Sequence, residues 1–357
     1  TNHLDHFPNR EVRVNIHFMN TSDTLYPYHG ELGVKYAKDL IYYANKDLGN
    51  NQRNQLTPPN ITTPSIPTRY YLKLVKKANT DEPAVYFHYD DELYSYIFKG
   101  RNRNIGDRRI ITKYGVDVDN VLNLFVMAPP RDSLTSPTFK TGALTGVFLG
   151  NAIKLAGFYP KTRPAWEHRG NLNHEVGHAL GLHHAWLARD GCEDTRAHSN
   201  KCWTRSQSAY CDTMTSNNVM DYNAHQNAWT PCQIGRVHAR LSDPDSRQRK
   251  WLTPNWCQPW HGREIVIDDQ IVWNGGRDLR KTIRIQPGAR LRINARTHLA
   301  RKTRIIVEPG GRLELGSKAY LHNICGQEWD GIVKEQDGEQ TGLVLMEPGA
   351  RIENAKG

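Results

Sequence analysis

The eleven residues His174-Glu175-Val176-Gly177-His178-Ala179-Leu180-Gly181-Leu182-His183-His184 constrain this chain more than any other stretch of it. An α-helix advances about 3.6 residues per turn, so His174 and His178 stand one above the other and present two imidazoles on one face. Gly181 falls where the helix must stop, because glycine tolerates the left-handed conformation that reverses the chain and returns His184 as a third ligand. Leu172, Val176, Ala179 and Leu180 recur at helical spacing and predict a buried face. Three imidazoles leave one position of a tetrahedral zinc ion open, which separates a catalytic site from a closed structural one. Water held there ionises near pH 7, and Glu175 is placed to take its proton. A bare H-E-x-x-H arises by chance in amphipathic helices, but the added glycine and third histidine at fixed offsets leave that alternative little room. His183 is read as solvated or as a supporting neighbour, since adjacent residues of an extended segment point opposite ways.

Further along lies Ser216-Asn217-Asn218-Val219-Met220-Asp221-Tyr222. An extended zinc motif followed by a methionine turn resembles the metzincin metallopeptidases. Asn218-Val219-Met220-Asp221-Tyr222 after His-Glu-Val-Gly-His is similar to the pappalysin (cytophagalysin) family in particular, over roughly residues 1–256. The resemblance implies an α+β catalytic domain with a mixed sheet, an active-site helix and an irregular lower part, the upper half reaching to about residue 184 and the lower spanning 185–256. It also implies a zinc-dependent endopeptidase acting on proteins or peptides. Met220 would form an apolar floor under the zinc site, and Tyr222 would stand near the metal and hold the tetrahedral oxyanion.

All six cysteines lie after residue 190, and none stands in a C-x-x-C pair. Disulfides are therefore expected, and with them an oxidising, extracellular compartment. Four cysteines allow three pairings. The resemblance implies Cys192–Cys211 and Cys202–Cys232, stapling the loop that carries the methionine turn, and leaves Cys257–Cys325 as the remaining pair. No cysteine precedes the zinc motif to block the metal, so the chain is expected to be a mature form. Asp190, Glu193, Asp194 and Asp212 crowd the same loop; hard oxygen donors suit calcium, which is weighed against simple solvation.

Around the motif the pattern is strand (Val12 to Phe18), helix (31–48), proline-rich loop (50–67), strand (Tyr70 to Leu74) and buried strand (Val121 to Val126). Thr230-Pro231-Cys232-Gln233 reads as a helix start, with threonine as N-cap and glutamine three residues on. Substrates of such enzymes pair with an edge strand. The candidate is the segment 146–158, with Ala152, Ile153, Lys154, Leu155, Ala156 and Gly157 as contact residues, set against an ordinary edge strand or loop. His225 and Gln226 are candidate walls of the main specificity pocket. No acidic residue occupies 223–231, so a preference for basic side chains, known in some relatives, is not carried over.

The chain changes character after Trp260. Ile285-Gln286-Pro287-Gly288-Ala289-Arg290-Leu291 recurs as Val307-Glu308-Pro309-Gly310-Gly311-Arg312-Leu313, 22 residues on, and as Met346-Glu347-Pro348-Gly349-Ala350-Arg351-Ile352, 39 further, close to two periods. Short strands joined by Pro-Gly corners must stack to bury a core. Residues 257–357 are thus expected to form an all-β accessory domain, a short parallel β-helix, with a stacked β-sandwich as the other arrangement. Its last phrase lies near the end of the sequence, and a continuation that caps the stack is expected.

The net charge of +10 raises nucleic acid as a partner, but the arginines of 277–304 carry no aromatic interleaving or known motif. On stacked strands Arg284, Arg290 and Arg292 face water, and a surface glycan or other anionic polymer is the alternative ligand. No apolar run is long enough for a membrane span and no leader is evident, so the chain reads as secreted or cell-surface associated. The second functional reading is an adhesive module with a vestigial zinc domain, against which the intact Glu175 stands.

Overall fold

The computed structural model describes residues 8–26, 28–98, 100–132, 145–156, 164–260 and 262–356. Two compact units divide the chain: Asn9–Leu241 with Asp245–Thr253, and Ser242–Pro244 with Pro254–Gly357.

The first unit is built on β1 (Arg10–Asn20), whose central residues Val14, Ile16 and Phe18 are fully buried. Its 11 residues are long enough to pair two strands in succession along one side, β2 (Tyr70–Leu74) and then β3 (Val85–Tyr89). On its other side lie β4 (Leu122–Val126), β6 (Ala152–Ala156) and β5 (Thr145–Phe148), in that order. Every pairing is parallel except β5 with β6. Helix α1 (Gly30–Gly49) buries Ala37, Leu40, Ala44 and Leu48. The zinc-motif helix α3 (Arg169–Ala179) is fastened to it by Asn173 Nδ2, which donates to the Ala44 carbonyl at 3.1 Å. Leu172 and Val176 of the same helix are fully buried.

Two elements escape the alternation rule. In β3 the three central residues of Val-Tyr-Phe-His-Tyr are all half-buried, so no period of two is visible. Helix α2 (Arg109–Tyr114) is too short for a helical stripe. Both are tied together by Asp90, whose carboxylate accepts from the backbone N–H groups of Glu92 and Leu93 and from Lys113 Nζ and Tyr114 OH, at 2.8–2.9 Å. Burial works to raise its pKa, but these donors outweigh it and hold the carboxyl below the ordinary carboxylate range. A depressed folded pKa gives stability that is complete above the ordinary value near 3.8 and fades as the pH falls through the folded one. Asp90→Ala is therefore expected to lose about 1–3 kcal/mol at pH 7. In urea melts the gap to the parent should narrow below about pH 4; an equal gap at pH 7 and pH 3 would refute the assignment.

The edge of this sheet corrects one expectation. Strand β6 lies between β4 and β5, and Ala152, Ile153, Lys154, Leu155 and Ala156 are all buried, so they do not form a substrate rim. Lys154 gives the segment its alternating look, yet its Nζ turns inward to the Asn104 carbonyl at 3.1 Å, and burial lowers its pKa to about 8. The edge strand at this end of the sheet is β5. Gly157 lies outside the described residues.

The second unit contains three four-stranded, wholly parallel sheets. Successive passes of the chain give one strand to each: β7, β8 and β9 (Ile265–Ile267, Gln270–Trp273, Arg277–Leu279), then β10, β11 and β12 (Ile283–Ile285, Arg290–Ile293, Arg296–Leu299). Next come β13, β14 and β15 (Ile305–Val307, Arg312–Leu315, Tyr320–His322), and finally β16, β19 and β20 (Ile332–Lys334, Leu343–Met346, Arg351–Ile352). Ile283, Ile285, Leu291, Ile293, Leu313 and Leu315 point inward and are completely buried. Gly288 and Gly310 take φ of +78° at their corners, which a side chain would resist.

The third Pro-Gly phrase is not a further copy of the same corner. The first two join β10 to β11 and β13 to β14, whereas Met346–Ile352 joins β19 to β20. The matching corner of the last pass is occupied by the hairpin β17/β18 (Gln336–Asp337 with Gln340–Thr341), which lengthens that pass. The outward arginines are also paired: Arg284 with Glu264 and Glu308 at 2.6 and 3.1 Å, and Arg290 and Arg292 with Glu314 at 2.6 and 3.2 Å. Exposed pairs contribute at most about 1 kcal/mol each, but they offset the charge on which an anionic-polymer reading depends.

Candidate active site

Helix α3 ends at Ala179, and Gly181 then takes φ of +91°. The N–H of Gly181 donates to the His178 carbonyl and that of Leu182 to the Gly177 carbonyl, both at 3.0 Å, so the chain reverses within one turn. The reversal brings His184 under the helix. Its Nε2 lies 3.0 Å from that of His178, which lies 3.1 Å from that of His174.

This spacing is the test of whether a metal fits. His174 Nδ1 donates to the Val219 carbonyl at 2.7 Å and His178 Nδ1 to the Leu182 carbonyl at 2.9 Å, which fixes the tautomer and leaves each Nε2 without a proton. Burial first, and then neighbouring imidazoles, push His174 down to about 3 and His184 to about 4; burial lowers His178 as well. Neutral imidazoles turning lone pairs toward one point repel unless a cation sits between them. Tetrahedral zinc, with bonds of about 2.0–2.1 Å, would hold its nitrogens about 3.3 Å apart, so the donor set and its spacing both fit.

Glu175 is 5% exposed beside this trio, and its carboxylate accepts the backbone N–H of Phe148 in β5. Burial pushes its pKa up to about 8; a cation at the three nitrogens works in the opposite direction. Met220 is completely buried under the helix, packed where Gly177 has no side chain. Its N–H donates to Asn218 Oδ1, and Asn218 Nδ2 donates to Gln233 Oε1, both at 2.9 Å. Tyr222 is 45% exposed, its ring 5.6 Å from that of His174 and 5.3 Å from that of His184. Burial, and then the Glu175 charge, raise its pKa, so the hydroxyl stays a donor.

Thr230 and Gln233 cap helix α5 (Pro231–Ser242) reciprocally, at 3.0 and 3.3 Å. Asp194 adds to the same helix start by accepting from Thr230 Oγ1 at 2.6 Å and from the Cys232 N–H at 2.9 Å. This contact explains why the cysteine pairing differs from the one implied by the resemblance. Asp194 ties its loop to the helix start, which puts Cys192 opposite Cys232 with Cα atoms 5.6 Å apart. Cys211, in the first turn of α4 (Ala209–Met214), then meets Cys202 at a Cα separation of 5.2 Å. The bridges are thus Cys192–Cys232 and Cys202–Cys211, in place of Cys192–Cys211 and Cys202–Cys232; the third joins Cys257 to Cys325.

The four acidic loop residues do not converge. Asp190 accepts from the Cys192 N–H and Thr195 Oγ1, Asp194 is occupied as described, and Glu193 and Asp212 are exposed. His225 is exposed, and Gln226 Nε2 donates to the Asp221 carbonyl at 2.8 Å, so it braces the methionine turn.

Trp186 and the His198–Asp221 pair were not legible as site residues. Trp186 stacks on His184 with ring centroids 3.9 Å apart and planes 13° from parallel. Among the described residues nothing pairs with His184 Nδ1, so this stack takes the place of the carbonyl that orients each of the other two imidazoles. Its place follows from a tight turn after His184, whose carbonyl accepts the Leu187 N–H at 3.2 Å, and no spacing rule in the sequence marks it. His198 Nε2 donates to Asp221 at 2.8 Å, and Asp221 accepts the Tyr222 N–H at 2.7 Å, anchoring the backbone under Tyr222.

A family model described as Pregnancy-associated plasma protein-A, of the M43 peptidases, matches residues 152–242, from β6 through the zinc helix and methionine turn to the end of α5. No curated protein matches the chain. Among solved structures, mirolysin in complex with compound 9 is similar at 15% identity and TM-score 0.44, over 68% of this chain and 96% of that one. Tannerella forsythia mature mirolysin in complex with a cleaved peptide is similar at 16% identity and TM-score 0.42, over 68% of this chain and 94% of that one. Likenesses this distant add nothing to the site geometry, whereas the family match falls on the residues that build it. Residues 152–242 are thus similar to the peptidase segment that defines the M43 (pappalysin) family.

Proposed function

We propose that the chain is a zinc-dependent endopeptidase that cleaves proteins or peptides outside the cell. The observation that carries this is the convergence of three imidazole Nε2 atoms, successive ones 3.0–3.1 Å apart and two of them left without a proton, beside one buried carboxylate. His174, His178 and His184 would hold the metal. Zinc bound there supplies Lewis-acid polarisation of the scissile carbonyl and a water that ionises near pH 7. Glu175 takes the proton of the attacking water and delivers it to the leaving amine. The Tyr222 hydroxyl donates to the developing oxyanion. Strand β5, on the edge of its sheet, offers backbone groups to an extended substrate. Three disulfides support an oxidising compartment, and no helix among the described residues is long and apolar enough to cross a membrane. The parallel ladders of the second unit support a short β-helix as its architecture.

Metal removal tests the reading. Dialysis against a chelator is expected to abolish cleavage of casein, and stoichiometric zinc to restore it; full activity of the metal-free protein would refute the proposal. In the same titration Trp186→Ala should bind zinc about tenfold more weakly and Trp186→Phe nearly as the parent does, because the stack orients His184.

A further inference from the structure

The cleft beside the three histidines is lined by β5, the turn from Gly181 to His184, Tyr222 and one residue of α5, Arg240. Apart from the histidines, its lining carries two ionisable charges, those of Glu175 and Arg240. Glu175 is committed to the reacting atoms. Arg240 stands near the carboxyl end of α5, exposed, with its side chain laid over Gly181. A Cβ at position 181 would meet Arg240 Nε at 3.3 Å, so the glycine that turns the chain also leaves room for the guanidinium.

Three other arginines of this unit are engaged, Arg169 with Asp47 at 2.7 Å, Arg109 with Asp107 at 2.7 Å, and Arg247 with the Gly150 carbonyl at 2.7 Å, and none of the three lines this cleft. Among the described residues none pairs with the Arg240 guanidinium. A planar group with five donors, facing a cleft that an extended peptide would fill, is suited to a carboxylate. The lining offers a basic side chain no acidic partner outside the catalytic carboxylate.

We propose, resting on the peptidase reading, that Arg240 is the specificity residue of the cleft and selects substrates with a carboxylate close to the scissile bond. That carboxylate comes either from an Asp or Glu side chain, as in an endopeptidase, or from a free peptide carboxyl terminus, which would make the same zinc site a carboxypeptidase's. The guanidinium binds it by a charge-assisted, bidentate contact that strengthens as the peptide displaces water from the cleft.

The test is a set of internally quenched peptides carrying Asp, Asn, Glu, Gln, Lys or Arg in turn at each position flanking the bond, each with a free or an amidated carboxyl terminus. In the zinc-loaded parent, Asp or Glu at one position should raise kcat/KM about tenfold over its amide. A preference confined to the free-terminus series would assign the carboxylate to the chain end. In Arg240→Gln the acid-to-amide ratio should collapse toward one, and in Arg240→Glu it should invert in favour of Lys or Arg, while zinc content shows that the site is intact. Equal cleavage of acid and amide peptides by the parent, or an unchanged ratio in Arg240→Gln, overturns the assignment while leaving a peptidase. A zinc-loaded parent that cleaves nothing overturns the peptidase reading and this one with it.

Discussion

Glu175→Gln is expected to lower kcat by about 10³-fold, within the 10²–10⁴-fold span of general acid–base catalysis, with zinc content and thermal midpoint close to the parent's. Glutamine keeps the shape of the side chain, and its amide oxygen can still accept the Phe148 N–H that the carboxylate accepts now. What it loses is the capacity to hold a proton between attack and departure of the amine. The variant therefore separates chemistry from folding: the three imidazoles keep their carbonyl and tryptophan supports, none of which involves Glu175. Parent-like turnover of casein by metal-replete Glu175→Gln would remove Glu175 from the mechanism. A variant that loses activity together with its zinc would instead point to a structural role.

What was legible in the sequence is what neighbouring residues decide among themselves. His174 and His178 share a face because four residues make a little more than one turn, and Gly181 marks the reversal because few other residues accept φ of +91°. The Thr230–Gln233 cap is equally local, both partners lying within one turn of α5. Pairing across space was not legible. The partner of Cys192 is set by Asp194 reaching the start of α5, 38 residues away, and no spacing rule among cysteines contains that hydrogen bond. Strand β6 was misplaced for a related reason, since a buried lysine satisfied by a carbonyl looks in sequence like a solvated one. In the second unit the Pro-Gly phrase encodes a type of corner but not which corner of the pass it occupies. In the last pass the hairpin at Gln336–Thr341 occupies the corner that the first two phrases form in the earlier passes. Arg240 escaped notice because its relation to Gly181 exists only once α5 and the zinc turn are packed together.

Gly146→Ala should be nearly as damaging as loss of the base, although residue 146 carries no chemistry. It lies in β5, opposite Leu155 of β6, and faces Glu175 across the cleft. A methyl group there would sit 2.7 Å from both Cδ and Oε1 of Glu175, closer than real side chains approach. The glutamate cannot yield cheaply, because it is 5% exposed and the clash falls along its stem as well as its tip. Strand β5, paired antiparallel with β6 over four residues, resists moving outward. The carboxylate must rotate away from the position where it meets the attacking water, and a misplacement of about 1 Å costs about 10²-fold in rate. Gly146→Ala is thus expected to lose at least about 10²-fold in kcat with zinc affinity unchanged, since the three atoms nearest its added carbon all belong to Glu175. In Glu175→Gln, already without a base, the added Gly146→Ala change should cost far less than it does in the parent, the non-additivity expected of residues that act through one another. Full additivity of the two losses in a double-mutant cycle would show that Gly146 matters through the substrate strand alone, and would refute its role as the space Glu175 occupies.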